Sequence, residues 1–222
     1  MSQNYNDLLQ KVNIGDKVKV YYQANSNIDE NIKCKTSDLI EMPVIVKVNK
    51  FDDEAVKGFY EDFEKCLTTG QPFVPILIDS YGGQVYSLLS MMAIIQNSKF
   101  PVYTIVQGKA MSCGAILFGM GHQRYMSENA TLMLHDVSTM SCGKVEEIKS
   151  DAKEAERLNK LIFSQLSKNC GHNHDYFNNI IHSKGRADWY LDNKESKKHK
   201  ICTHIGVPTL QINVDVSYKI KI

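Results

Sequence analysis

The 222-residue sequence has no long apolar run, no cysteine pair at C-x-x-C spacing and almost no net charge. A membrane-spanning helix needs about 18 or more consecutive apolar residues, so the sequence predicts no membrane segment. The 26 Lys and Arg residues nearly balance the 25 Asp and Glu residues, which leaves a formal net charge of +1. A nucleic-acid-binding domain usually carries a clustered basic excess. We therefore expect peptide or protein partners, with no nucleic acid and no membrane.

The six cysteines are scattered along the chain. Disulfide frameworks are typical of small secreted domains, and the first residues lack the basic and then apolar segments of a secretory signal peptide. We therefore expect reduced thiols and a cytoplasmic protein. His172 and His174 form an H-x-H pattern, but no cysteine or carboxylate framework accompanies them, so the sequence predicts a solvated loop and no metal site.

The chain divides into three segments of different texture. Residues 1–43 are polar and irregular, residues 44–207 alternate strand-like with helix-like patterns, and residues 208–222 alternate apolar with polar side chains. The last pattern predicts a β-strand with one buried face. Such a strand must pair with another, either Lys17–Tyr22 or a neighbouring subunit. The middle segment is expected to be one elaborated domain, because a single α/β domain often exceeds 200 residues.

Strands and helices joined by short glycine-containing turns characterise the middle segment. This order is typical of βαβ units on a largely parallel sheet. Asp52 or Asp53 is expected to cap the first helix, and residues 108–111 are predicted to form a turn. Apolar periodicity predicts strands at 44–48, 74–79, 102–107, 124–126 and 131–135, and helices at 51–67, 85–96, 112–120 and 144–167.

Candidate catalytic residues lie where the predicted strands end. Ser112 opens a predicted helix, where unpaired backbone N–H groups suit an oxyanion, and a nucleophile at a strand-to-helix turn recurs in α/β hydrolases. A serine there is also a common helix N-cap. Gly82 and Gly83 occupy the equivalent place one βα unit earlier, at the same edge of the sheet. His135 ends a short apolar strand, where it can act as a general base. Spacing alone selects no acidic partner.

Four segments resemble the Clp protease proteolytic subunit (ClpP), in unbroken order from about residue 44 to residue 206. GKAMSCGAILFGMG is similar to the segment around the family's nucleophilic serine, and IDSYGGQVYS to its Asn-Ser-Pro-Gly-Gly loop. ATLMLHD is similar to the catalytic-histidine strand, and GRADWYLDNKES to the segment that carries the triad aspartate. The resemblance implies an α/β, ClpP/crotonase-like fold of repeated βαβ units with a protruding handle helix at about 144–182.

The resemblance assigns roles residue by residue. Ser112 matches the nucleophile, His135 the general base and Asp188 the residue that orients the imidazole. The backbone N–H groups of Gly83 and Cys113 match the oxyanion hole. The resemblance further implies a serine endopeptidase without a cofactor, assembled as a homo-oligomer of heptameric rings around a chamber. Its substrate would be a peptide or unfolded protein, usually delivered by a separate AAA+ unfoldase.

Several positions depart from the family's pattern. Asp79, Tyr81 and Asp136 stand where the family commonly has Asn, Pro and Gln, and Ala187 stands where it often has Arg. We expect Asp136 to have little effect on His135, because neighbouring residues of a strand point to opposite faces. Both ends of the chain differ most from the family, so docking of an unfoldase is left open.

Four other functions are open at this point. A phage-type head-maturation protease would use the same triad without an unfoldase. A crotonase-like acyl-CoA enzyme would use two oxyanion N–H groups without the triad, and a Ser–Lys peptidase would use Lys109 as its base. An inactive structural ring subunit would need no triad. Because all three triad positions are filled, we expect an active peptidase.

Overall fold

The computed structural model describes residues 11–12, 43–69, 71–185, 187–208 and 214–215. Strands and helices alternate through the middle of the chain, as the apolar periodicity predicts. The strands are β1 (Lys11–Val12), β2 (Val46–Val48), β3 (Val74–Ser80), β4 (Val102–Met111), β5 (Gln123–Met126), β6 (Thr131–Leu134), β7 (Trp189–Leu191), β8 (His204–Ile205) and β9 (Val214–Asp215). The helices are α1 (Asp53–Thr68), α2 (Val85–Gln96), α3 (Cys113–Gly119), α4 (Val145–Asn169), α5 (Tyr176–Ser183) and α6 (Asn193–Lys198).

Within the described residues, the main sheet contains seven strands. Five of them are parallel neighbours in the order β2–β3–β4–β5–β8. β6 pairs in parallel with the end of β4, and β7 pairs antiparallel with β6. Parallel neighbours need crossover connections, which α1, α2 and α3 provide between successive strands. The predicted α/β class with a largely parallel sheet is confirmed.

The helices pack their apolar sides against the sheet and enclose one core. Asp52 caps α1 as expected, since its side chain accepts a hydrogen bond from the Ala55 N–H at 2.8 Å. All seven residues of α3 are buried, so the helix that follows Ser112 is enclosed by the core. The largest fully buried core side chains are Phe51, Phe59, Phe118, Phe163, Phe177, Ile76, Ile78, Leu88, Met91, Ile95, Leu117 and Met126.

The predicted turn at 108–111 is wrong, because β4 continues through these residues to Met111. Lys109–Met111 form a parallel ladder with Thr131–Met133 of β6. In this ladder the backbone N–H and C=O groups bond to another strand, whereas in a turn they would bond to water. The two paired segments are about twenty residues apart in the sequence. The strand therefore runs directly up to Ser112.

Helix α4 is the predicted handle and extends by two residues beyond the predicted end. Residues 145–153 are exposed, whereas Leu158, Ile162 and Phe163 are buried in the core. The first half of the helix therefore projects from the domain and the second half anchors it. Among the helices of the described residues, none is both long and apolar enough to cross a bilayer.

Of the predicted C-terminal strand, the structure describes only Val214–Asp215 as a strand. It pairs antiparallel with Lys11–Val12, so for these two residues the suggested partner Lys17–Tyr22 is wrong. Most of the segments 1–43 and 208–222 lie outside the described residues. The three domain boundaries therefore stay predictions.

Candidate active site

Ser112 forms a sharp corner between β4 and α3. Its backbone has φ 53° and ψ −121°, a conformation that residues other than glycine rarely adopt. Its carbonyl accepts hydrogen bonds from the N–H groups of Ala115 and Ile116 at 3.0 and 3.2 Å, so the corner is held by the first turn of the helix. A strained strand-to-helix corner that presents a serine hydroxyl is the geometry of a nucleophile elbow.

β6 is attached to this corner and carries His135 to it. The Ser112 N–H donates to the Met133 carbonyl at 2.8 Å. His135 follows two residues later, just past the end of β6 at Leu134. His135 Nε2 lies 2.8 Å from Ser112 Oγ. The structure thus brings the predicted nucleophile and the predicted base into hydrogen-bonding contact.

The Gly82–Gly83 turn closes over the serine from the end of β3. Gly82 has φ +108°, and a Cβ there would lie 2.8 Å from Ser112 Cβ and 3.2 Å from Ser112 Oγ. Gly83 has φ +152°, and a Cβ there would lie 2.5 Å from the Phe51 carbonyl oxygen. Both positions therefore require glycine, and this requirement lets the backbone reach the nucleophile.

Two backbone amides at the serine have no protein acceptor among the described residues. They are the N–H groups of Gly83 and Cys113, since the ladder bond to Phe51 uses the N–H of Gln84 at 2.8 Å. A cavity of about 40 Å³ lies beside them, lined by Gly83, Val85, Ser112, Cys113, Ile116, Leu134, His135, Asp136, Val137, Ser138 and Ile162. A cavity of this size holds a water molecule or one small group, which suits a carbonyl oxygen rather than a whole substrate residue.

Asp188 is placed next to His135 by the sheet but is not hydrogen-bonded to it. Leu134 is opposite Trp189 in the antiparallel β6–β7 ladder, so the next pair in this register is His135 and Asp188. Asp188 is exposed. Within the described part of the chain, no hydrogen bond joins its carboxylate to the imidazole. The orienting role of Asp188 stays a prediction.

Asp136 lines the same cavity as His135. Alternation along a strand predicted that these neighbours would point to opposite faces. β6 ends at Leu134, so neither residue is under the strict alternation of a strand. The expectation that Asp136 has little effect on His135 stays a prediction.

Lys109, the candidate base of a Ser–Lys dyad, is paired elsewhere. Its Nζ lies 2.8 Å from Asp79 Oδ1 and 4.6 Å from the centroid of the Tyr81 ring. The hydrogen bond to Asp79 raises the pKa of Lys109. The ammonium group is therefore protonated near neutral pH and unsuited to accept the Ser112 proton.

Replacing Lys109 with glutamine is expected to keep the fluorophosphonate labelling rate of Ser112 within about threefold of wild type, since loss of a general base would cost about 10²–10⁴. The matched control is Lys149→Gln, because Lys149 also forms a 2.8 Å pair with a carboxylate, that of Glu146, but on the exposed handle. Time-resolved labelling followed by gel fluorescence measures the rate. A hundredfold lower labelling rate in Lys109→Gln, but not in Lys149→Gln, would show that Lys109 is the base of a Ser–Lys dyad.

Three supporting residues were missed by the sequence analysis. Phe51 packs against Gly83, Ser80 Oγ accepts the Gly82 N–H at 3.0 Å, and Asn159 Oδ1 accepts the Val137 N–H at 2.7 Å. Asn159 thereby ties the loop after His135 to the handle helix. Phe51 and Asn159 act through contacts that only the fold creates, so no local pattern marks them. The Ser80 bond spans only two residues and is a local serine turn.

The family model described as Clp protease matches residues 65–207. This match covers more than half of the chain and includes the serine corner, the glycine turn and β6. The chain belongs to the Clp protease family. Its fold is accordingly the ClpP/crotonase-like α/β fold implied by the resemblance, with the handle supplied by α4.

Two curated Clp protease subunits give the extent of the similarity. The chain is 31% identical over 101 residues to the ATP-dependent Clp protease proteolytic subunit 2 of Corynebacterium jeikeium (strain K411), covering 44% of this chain and 48% of that protein. It is 32% identical over 139 residues to the ATP-dependent Clp protease proteolytic subunit 1 of Salinibacter ruber (strain DSM 13855 / M31), covering 62% of this chain and 58% of that protein. The chain thus spans about half the length of these relatives, as a divergent Clp protease family member.

Proposed function

We propose that this chain is a serine endopeptidase with Ser112 as nucleophile and His135 as general base. The observation that carries the proposal is the 2.8 Å contact between His135 Nε2 and Ser112 Oγ at a strained strand-to-helix corner. An activated serine needs a base within about 2.6–3.2 Å. Membership of the Clp protease family supports peptide bonds as the target.

In the proposed reaction, Ser112 Oγ attacks the scissile carbonyl while its proton passes to His135 Nε2. The N–H groups of Gly83 and Cys113 stabilise the oxyanion beside the small cavity. His135 then returns the proton to the leaving amine, and water releases the acyl group by the same steps. Asp188 is proposed to orient the imidazole, which requires its exposed carboxylate to turn toward His135 when substrate binds.

The proposed substrate is an unfolded protein or peptide, cleaved in the cytoplasm inside a chamber of stacked heptameric rings. Both relatives are named as ATP-dependent proteolytic subunits, which supports an ATP-driven unfoldase as partner, with ATP bound by that partner. Val145 and Ile148 on the handle are exposed apolar residues, as is Met140 just before it. Apolar residues on a projecting helix favour association between subunits.

The serine–histidine contact argues against an acyl-CoA enzyme of the crotonase-like type. Such an enzyme needs the two oxyanion amides but gains nothing from a base aimed at a serine hydroxyl. The strained backbone at Ser112 argues against an inactive ring subunit, because such strain destabilises the fold and is usually kept only where a function requires it.

The test of the proposed function is reaction with a fluorophosphonate probe, followed by mass spectrometry of the adduct. We expect one phosphonylated residue, Ser112, in the native protein, and no adduct after heat denaturation or in the Ser112→Ala variant. A folded sample that stays unlabelled, or that is labelled equally in Ser112→Ala, would overturn the proposal.

A further inference from the structure

The Cys113 side chain links the two backbone segments that form the proposed oxyanion hole. Cys113 follows the nucleophile, and its Sγ donates a hydrogen bond to the Gly83 carbonyl oxygen at 3.3 Å. No other side chain of the described residues is hydrogen-bonded to this carbonyl. We propose that the Cys113 thiol is a positioning residue that fixes the Gly83 backbone so that its N–H faces the oxyanion.

Gly83 needs such an anchor because it belongs to a glycine pair with positive φ at both positions. Glycine has more backbone freedom than any other residue, so the turn does not fix the direction of its own N–H. The peptide group between Gly83 and Gln84 is held at both of its ends. Its N–H donates to the Phe51 carbonyl at 2.8 Å, and its carbonyl accepts from Cys113 Sγ. Removing the thiol leaves the Gly83 carbonyl without its side-chain anchor.

The thiol is suited to donate rather than to react. Cys113 is only 3% exposed, and burial raises its pKa, outweighing the opposing effect of its hydrogen bonds. The side chain is therefore an S–H group near neutral pH, able to donate to a carbonyl. A thiolate would have no proton for this bond, and a buried neutral thiol is a poor nucleophile.

The inference rests on the proposed function and predicts a loss confined to the transition state. Cys113→Ala is expected to lower kcat for a fluorogenic peptide about three- to tenfold, the range for loss of one weak hydrogen bond. KM should not change, because the oxyanion hole is used only when the tetrahedral species forms. Affinity for a peptide boronate, whose tetrahedral adduct places an oxygen in the hole, should fall by the same factor.

Two further variants separate positioning from packing. Cys113→Ser retains a donor and is expected to restore kcat and boronate affinity to within about twofold of wild type. Cys66→Ala removes a comparable bond, since the buried Cys66 Sγ lies 3.4 Å from the Val44 carbonyl oxygen, remote from the serine. That variant should leave kcat and boronate affinity unchanged.

Each outcome decides the matter. A kcat loss in Cys113→Ala that Cys113→Ser repairs, with Cys66→Ala unchanged, supports the inference. Equal kcat in Cys113→Ala and wild type, or an equal loss in Cys113→Ser or in Cys66→Ala, overturns it while the proposed function stands. Peptide hydrolysis that survives in Ser112→Ala, or wild-type protein inert to peptide and boronate, overturns the proposed function and this inference with it.

Discussion

Replacing His135 with alanine is expected to lower kcat for peptide hydrolysis by about 10⁴–10⁶, the scale on which triad members are lost. The physical reason is the 2.8 Å contact between Nε2 and Ser112 Oγ. A serine hydroxyl is a weak nucleophile near neutral pH, and only a base at this distance can remove its proton as the bond to carbon forms. Steady-state hydrolysis of a fluorogenic peptide and the fluorophosphonate labelling rate at Ser112 both report the loss.

The control for this variant is His174→Ala. His174 is exposed and pairs only with its neighbour Asp175 at 3.3 Å among the described residues, so its loss should leave kcat unchanged. Because His135 lines a cavity, its removal leaves space beside Ser112, and added imidazole is expected to restore part of the activity. A His135→Ala variant that hydrolyses peptide at the wild-type rate would show that another group activates the serine.

Much of the fold follows from local patterns in the sequence. Helix α2 begins and ends at the predicted residues 85 and 96, because its apolar side chains and flanking polar loops mark both ends. The Asp52 cap of α1 was likewise predictable, since a carboxylate before an amphipathic run satisfies free N–H groups. The parallel sheet followed from the alternation of strands and helices alone.

What the sequence did not reveal depends on pairing between distant segments. Gly108 suggests a turn by its residue type, yet β4 continues past it because β6 supplies a parallel ladder for Lys109–Met111. The same strand, β6, ends at Leu134, one residue before its predicted end at His135. A strand's end depends on its partner as well as on its own residues, so local patterns place such ends less securely than helix caps.

In the candidate site, too, some features were predictable from the sequence and others depend on contacts between distant segments. The family resemblance selected Ser112 and His135, and the structure places their side chains in contact. Asp188 was selected in the same way, but its role stays a prediction. Cys113 was selected for its backbone N–H alone. Its thiol was given no role, because its bond to Gly83 spans 30 positions and exists only once two βα turns have met.

Replacing Gly83 with alanine is expected to lower kcat/KM by about 10²–10³, the cost of losing one oxyanion donor. The new Cβ would lie 2.5 Å from the Phe51 carbonyl oxygen and 2.9 Å from Phe51 Cβ, on a backbone with φ +152°. Neither the carbonyl oxygen nor the Cβ of Phe51 can rotate away, so the turn must rebuild and direct the Gly83 N–H away from the serine. Peptide hydrolysis kinetics measure this loss.

Gly58→Ala is the matched control for this substitution. Gly58 lies inside α1, and a Cβ there would meet no atom within 4 Å. Alanine at that position should raise the free energy of unfolding by about 0.5–1 kcal/mol, because glycine loses more backbone entropy in a helix. Gly83→Ala, by contrast, should lower it by about 1–3 kcal/mol through backbone strain. Both kcat and KM are measured below the unfolding temperature of the variant. A folded Gly83→Ala variant with wild-type kcat/KM would show that Gly83 is not an oxyanion donor.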